Sequence, residues 1–121
     1  MASPTSRTLK HYRDLGYAID IAERWLPGVG IRKDLFGFID MVALHPMRGV
    51  VGVQSTGTAF SAHRKKILEE RREECRLWLE AGGKVDLIGW RKLKVKRGSK
   101  ATRYVPRVEE ITLETLEEDA K

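Results

Sequence analysis

The sequence predicts an α/β domain with a mixed central sheet flanked by helices, and three observations predict it. The first is size: 121 residues make one domain with one modest core, and two full domains are excluded. The second is the order of periodic segments, which runs helix, strand, strand, strand, helix, strand and then a basic appendage. The third is the apolar character of residues 38–44 and 50–53, which suits strands buried on both faces.

Each element has a local reason. Ser3 and Pro4 read as N-cap and first helical residue, and Leu9, Tyr12 and Leu15 then recur every three residues as far as Gly16. Residues 17–25, YAIDIAERW, alternate as a strand with Tyr17, Ile19, Ile21 and Trp25 on one face, broken only by Glu23. The Pro and Gly residues of LPGVGIRK, 26–33, make a loop, and LFGFIDMVAL, 35–44, is a long central strand holding a single acid, Asp40. HPMRG, 45–49, is a turn, so that VVGVQST, 50–56, returns as the antiparallel partner.

A helix of about twenty residues is expected over 61–81, with Leu68, Cys75, Trp78 and Leu79 along its apolar stripe and Gly82 and Gly83 ending it. KVDLIGW, 84–90, is the next strand, and KLKVKRGSKATRYVPR forms a basic C-terminal hairpin turning near Gly98 and Ser99. The acidic end, with Ile111, Leu113 and Leu116, is either a last strand or a short helix. The whole divides into a core of about residues 5–90, a basic hairpin of about 91–107 and an acidic segment, 108–121.

Composition narrows the function classes. With 41% hydrophobic and 33% charged residues the chain is neither disordered nor lipid-embedded, and no run approaches the roughly 18 apolar residues of a membrane span. MASPTSRTLK lacks a secretory apolar core, and a lone Cys75 forms neither an internal disulfide nor a multi-cysteine zinc site. A cytoplasmic protein with no membrane partner is the expectation. The net charge of +6 is local: residues 87–108 hold eight Lys or Arg and no acid, whereas residues 109–121 hold six acids and one Lys. Such a segment is either a lysine-protected sheet edge or a surface for a polyanion, and nucleic acid, above all DNA, is the expected partner. Arg91, Lys92, Lys94, Lys96, Arg97, Lys100, Arg103 and Arg107 would neutralise phosphates, with Trp90 and Tyr104 interleaved.

Asp40 poses the chemical question. An ionised carboxylate within FIDMVAL is costly unless backbone amides, an Arg or a metal satisfies it. If the strand extends that far, Asp34, Phe36, Phe38 and Asp40 share a face, and on the next strand Gln54 and Thr56 share one. Asp40 and Gln54 are fourteen residues apart across a tight turn, a spacing that sets them side by side. Two or three oxygen ligands plus waters suit Mg²⁺.

FIDMVALHPMRGVVGVQST resembles the metal-binding hairpin of the PD-(D/E)XK, or restriction-endonuclease-like, superfamily, especially its Holliday junction resolvase-like branch. The likeness covers about residues 5–90 and implies a helix-strand-strand-strand-helix-strand core that binds Mg²⁺ or Mn²⁺ and cuts DNA. Carried over by position, Asp40 falls on the metal-binding Asp, Gln54 on the acid of the acid-x-Lys motif and Thr56 on its lysine. Gln54 offers a carbonyl oxygen without the charge, and Thr56 has no cation to give. His63, Lys65 and Lys66, at the start of the following helix, are substitutes for the lysine, and Asp34 for the acid. The first helix has no glutamate, and Glu23 either approaches the same pocket or pairs with an Arg. Members of this superfamily often dimerise to cut two strands, so a homodimer is expected.

No GxxxxGKS/T, paired CxxC, HExxH or GxSxG pattern occurs. The leading expectation is a metal-dependent endonuclease with Asp40, Asp34 and Gln54 around Mg²⁺ (or Mn²⁺) and Lys66 or His63 at the scissile phosphate. The alternatives are a catalytically inactive nuclease fold that binds structured nucleic acid, and an interaction module with a protein partner.

Overall fold

The computed structural model describes residues 3–121. Helix α1, Pro4–Asp14, is capped by Ser3, whose Oγ accepts the Ser6 N–H at 3.1 Å. Five strands form the main sheet in the order β1 (Ala18–Ile21), β4 (Met41–His45), β5 (Gly49–Thr56), β6 (Lys84–Lys94) and β7 (Thr102–Ile111). Only the β5–β6 pair is parallel, so the sheet is mixed. Its parallel crossover runs through α2 (Phe60–Lys65), a π-helical segment (Lys66–Glu70) and α3 (Arg72–Glu80). Strands β2 (Arg24–Leu26) and β3 (Ile31–Lys33) pair separately as a small ribbon, and α4 (Leu113–Asp119) ends the chain.

Helices cover both faces, as the apolar runs demand. On one face Phe38, Ile39, Phe60, Ile67, Leu68, Val85, Leu87, Ile111 and Leu116 form a core with α2, the π segment, α3 and α4. On the other, Tyr12 of α1 packs with Ile19, Met41, Ala43, Val51, Val53, Ile88 and Trp90. Cys75 lies in the first of these cores with no exposure, and burial pushes its thiol up to about 11. Iodoacetamide is therefore expected to label Cys75 only after unfolding, and rapid labelling of the native protein, seen by mass spectrometry, would contradict this burial.

Five expectations need correction, and the first is that residues 26–33 are not all loop, because Ile31–Lys33 pairs with Arg24–Leu26 around residues 27–30. Residues 17–25 are not one strand: the N–H groups of Ala22 and Glu23 both donate to the Asp40 carbonyl, at 2.8 and 3.2 Å, and this two-against-one step turns the chain out of the main sheet into the β2–β3 ribbon. Residues 35–44 are not one strand either. Leu35 and Ile39 exchange both backbone bonds around a turn in which Phe36 (φ 54) and Gly37 (φ 80) are both left-handed, so β4 begins only at Met41. The expected helix over 61–81 is interrupted where Arg71 N–H reaches back five residues to the Lys66 carbonyl. Last, residues 84–94 form one long strand whose partner β7 enters the acidic segment, and α4 follows through a Thr112–Thr115 capping box. The C-terminal segment is thus part of the core.

Candidate metal centre

The two backbone irregularities bring three distant acids together. The 35–39 turn folds Asp34 back beside Asp40, which therefore meet through a hairpin and not along one strand face. The step at Ala22–Glu23, anchored on the Asp40 carbonyl, delivers Glu23 to the same place. One carboxylate oxygen each of Glu23, Asp34 and Asp40 lies within 4.8 Å of the others.

Asp40 is 9% exposed and Gln54 2%. Asp40 Oδ2 accepts from Gln54 Nε2 at 2.7 Å and from the Ser55 N–H at 2.9 Å, and both of these bonds end on the one oxygen. Burial pushes the Asp40 carboxyl up to about 7, the neighbouring Asp34 adds to the rise, and the bonds from Ser55 and Gln54 offset only part of it. Lys66 Nζ lies 3.3 Å from Asp34 Oδ2, and Arg32 lies 3.2 Å from Glu23 Oε1. Glu23 therefore both joins the cluster and pairs with an Arg. His63 is held below the usual imidazole range, first by burial and then by Lys66, and its Nδ1 is buried without a hydrogen-bond partner.

The donor set fits a hard divalent cation. Oxygens on opposite sides of Mg²⁺ stand about 4.2 Å apart, so small side-chain movements would close three carboxylates separated by this much onto one ion. Gln54 Oε1 is a buried polar atom with no partner in the described residues, a second sign that the group balance is incomplete. Thr56 is buried, and strand alternation places it on the Gln54 face. Lys65 is exposed and lies outside the ion pairs of the cluster.

The cluster sits at the start of β4 and the end of β5, and the basic ribbon leaves the sheet at this same end. Beyond the Thr56–Gly89 pair β6 has only β7 beside it, and this two-stranded extension carries the cations. Its charge divides by face: Arg91, Arg103 and Arg107 fall on the α2 side, Lys92 and Lys94 on the α1 side, and Lys96, Arg97 and Lys100 in the connecting loop. The root is braced on both sides, by Arg7 at 3.4 Å over the Tyr104 ring and by Arg107 at 4.0 Å over Phe60. Among the described residues, no cation from Arg91 to Arg107 is in an ion pair.

Two groupings escaped sequence reasoning. One is a cleft beside Asp34 lined by Arg24, Lys33 and Arg71; the mirrored placement of basic residues around RWLPGVGIRK was the available signal. The other is the buried Asp86 with Arg48 and Tyr12, which no local pattern marks. Among the described residues no helix is long and apolar enough to cross a membrane. Compared with known proteins, the chain matches no family model, no curated protein and no solved structure.

Proposed function

We propose that the protein is a metal-dependent, nuclease-like DNA-binding protein with a restriction-endonuclease-like core, hydrolysing phosphodiester bonds in DNA, branched or junction DNA included. The observation that carries this reading is the meeting of Glu23, Asp34 and Asp40 at the sheet end from which the cationic β6–β7 ribbon projects. The β4 and β7 strands are three strand spacings, about 14 Å, apart, so a backbone lying on the ribbon passes close to the acids. The order of α1, β1, β4, β5, the α2–α3 crossover and β6 agrees with the expected core, with the β2–β3 ribbon as an insertion.

Glu23, Asp34 and Asp40 would hold Mg²⁺ or Mn²⁺, which when bound supplies a Lewis acid and a more acidic water. Gln54 orients Asp40 through its amide N–H, so it is a positioning residue in this scheme. Lys66, 3.3 Å from Asp34, provides positive charge for a phosphate there. His63 lies beside Lys66, and burial and that cation lower its basicity. A second reading, a non-catalytic DNA-binding fold, is favoured by one observation: the NH₂ of Gln54 is spent on Asp40 and the side chain adds no negative charge.

The test is cleavage of labelled single-stranded, duplex and four-way-junction DNA with Mg²⁺ or Mn²⁺ against a chelator control. Metal-dependent cutting is expected. Tight binding without cutting under any metal would leave the second reading, and neither binding nor cutting would refute both. Replacing Lys92, Lys94 and Arg97 with Gln should lower the salt dependence of duplex binding by about 0.9 in log–log slope for each phosphate no longer neutralised. An unchanged slope would remove the ribbon from the interface.

A further inference from the structure

We propose that the cleft between the β2–β3 ribbon, the 34–39 turn and the π-helical segment binds an unpaired stretch of a nucleic-acid strand, with phosphates on Arg24 and Lys33 and a base on Phe36. The proposal rests on the nucleic-acid reading above and assigns the strand a second contact surface, separate from the β6–β7 ribbon. The cleft has a volume of about 720 Å³, within the range of about 300–1,000 Å³ typical of sites that enclose small molecules. That volume accommodates a nucleotide unit.

Three observations converge there. First, Arg24 and Lys33 are direct cross-strand partners, both exposed and both lining the cleft, and neither is in an ion pair among the described residues. Like charges placed opposite each other destabilise a two-stranded ribbon, and an anion between them removes the penalty. Second, Phe36 is 56% exposed at the rim of the cleft and has a left-handed backbone, which a bulky side chain rarely adopts. Beside it, Gly37 has Arg71 packed so close that a Cβ would stand 2.5 Å from Arg71 Nε, and Arg71 also lines the cleft. Third, Asp34 and Lys66 belong to both the cleft and the acidic cluster, so a strand in the cleft leads directly to the candidate metal centre. Cations with an exposed aromatic ring are the elements that bind single strands, because every base has a face to stack.

The experiment uses the full chain with a chelator present, and follows anisotropy of labelled oligothymidylate and of a duplex of equal length. The variants are Arg24→Gln with Lys33→Gln, Phe36→Gly, Phe36→Tyr, and the triple Gln variant of the β6–β7 ribbon. Removing the like-charge pair should not lower the melting temperature, so a folded protein is expected. The double variant should weaken oligothymidylate binding about ten-fold and reduce its salt slope by about 1.4, at 0.7 for each single-strand phosphate bound, with duplex binding changed less than two-fold. Phe36→Gly should weaken single-strand binding about five-fold or more, and Phe36→Tyr should retain it. Unchanged oligothymidylate binding in the cleft variants, with duplex binding still dependent on the ribbon, would overturn the inference and leave the nucleic-acid reading standing. Equal losses on both DNAs would overturn the single-strand assignment. Absence of binding by the wild type would overturn the inference together with the reading it rests on.

Discussion

Replacing Asp40 with Asn is expected to abolish metal-dependent cleavage, by about a thousand-fold or more, while making the metal-free protein more stable. A thousand-fold loss corresponds to roughly 4 kcal/mol of transition-state stabilisation, within reach of a single ligand to a catalytic cation. The gain in stability follows from the geometry. Both hydrogen bonds to Asp40 end on Oδ2, so an Asn carbonyl can accept the bonds from Gln54 and Ser55 while its NH₂ faces Asp34. Asn thus reproduces the protonated carboxyl that burial favours.

The sign of the pH dependence is fixed by the same shift. The carboxyl is raised from 3.8 to about 7 in the folded state, so the stability it contributes is fully present below about pH 4 and is lost as pH rises through about 7. The Asn variant has no such loss. The two proteins should melt alike near pH 4 and differ most at pH 7–8, by about 4 kcal/mol in favour of Asn. Mn²⁺ should narrow the difference by stabilising the wild type alone. Thermal melts across pH with and without Mn²⁺ check this. An Asn variant that is less stable at pH 8 would show that Asp40 is an ordinary structural carboxylate.

The second large effect is structural. On the α1 face of the sheet, Asp86 is 2% exposed and receives Arg48 through two bonds of 2.9 Å and the Tyr12 hydroxyl at 2.7 Å. Arg48 also reaches Tyr17 and Glu110, each at 3.1 Å. Burial and the adjacent Asp86 raise the Tyr12 phenol, which stays a donor. Asp86→Ala leaves the guanidinium and this hydroxyl without their main acceptor and is expected to cost about 3–5 kcal/mol, a fall in Tm of roughly 10–20 °C. Arg48→Met with Asp86→Leu should cost less than either single change, because no charge is left stranded. Mn²⁺ affinity per folded molecule should not move, since the network lies on the face of the sheet away from the acids. A cost below about 1 kcal/mol in Asp86→Ala would show that solvent replaces these partners freely.

The elements with an unbroken hydrophobic period were legible because that period is a local property. The helix of residues 4–14, the 49–56 strand and the strand beginning at Lys84 follow directly from it, as does burial of the sheet on both faces. Asp40 was legible as an anomaly, since one acid in an apolar run has to be satisfied. Its pairing with Gln54 was legible from hairpin spacing. Local pattern failed where the backbone departs from regular pairing. The alternation through residues 17–25 persists across a step that only the Asp40 carbonyl creates, and the apolar run at 35–39 conceals a turn with Phe36 in an unfavourable conformation.

By itself, then, the sequence determined the α/β class, the double-sided core, the anomaly of an acid at Asp40 and the basic character of the last strand pair, because these depend on composition and on periods of two and about 3.6 residues. Only the tertiary structure decided that Glu23 and Asp34 join Asp40, that Lys66 accompanies them while Lys65 does not, and that Arg24, Lys33 and Phe36 line one cleft. Those juxtapositions arise from a two-against-one backbone step, a left-handed turn and a π-helical insertion. Each is a hydrogen-bonding choice made between segments, and no single segment encodes it.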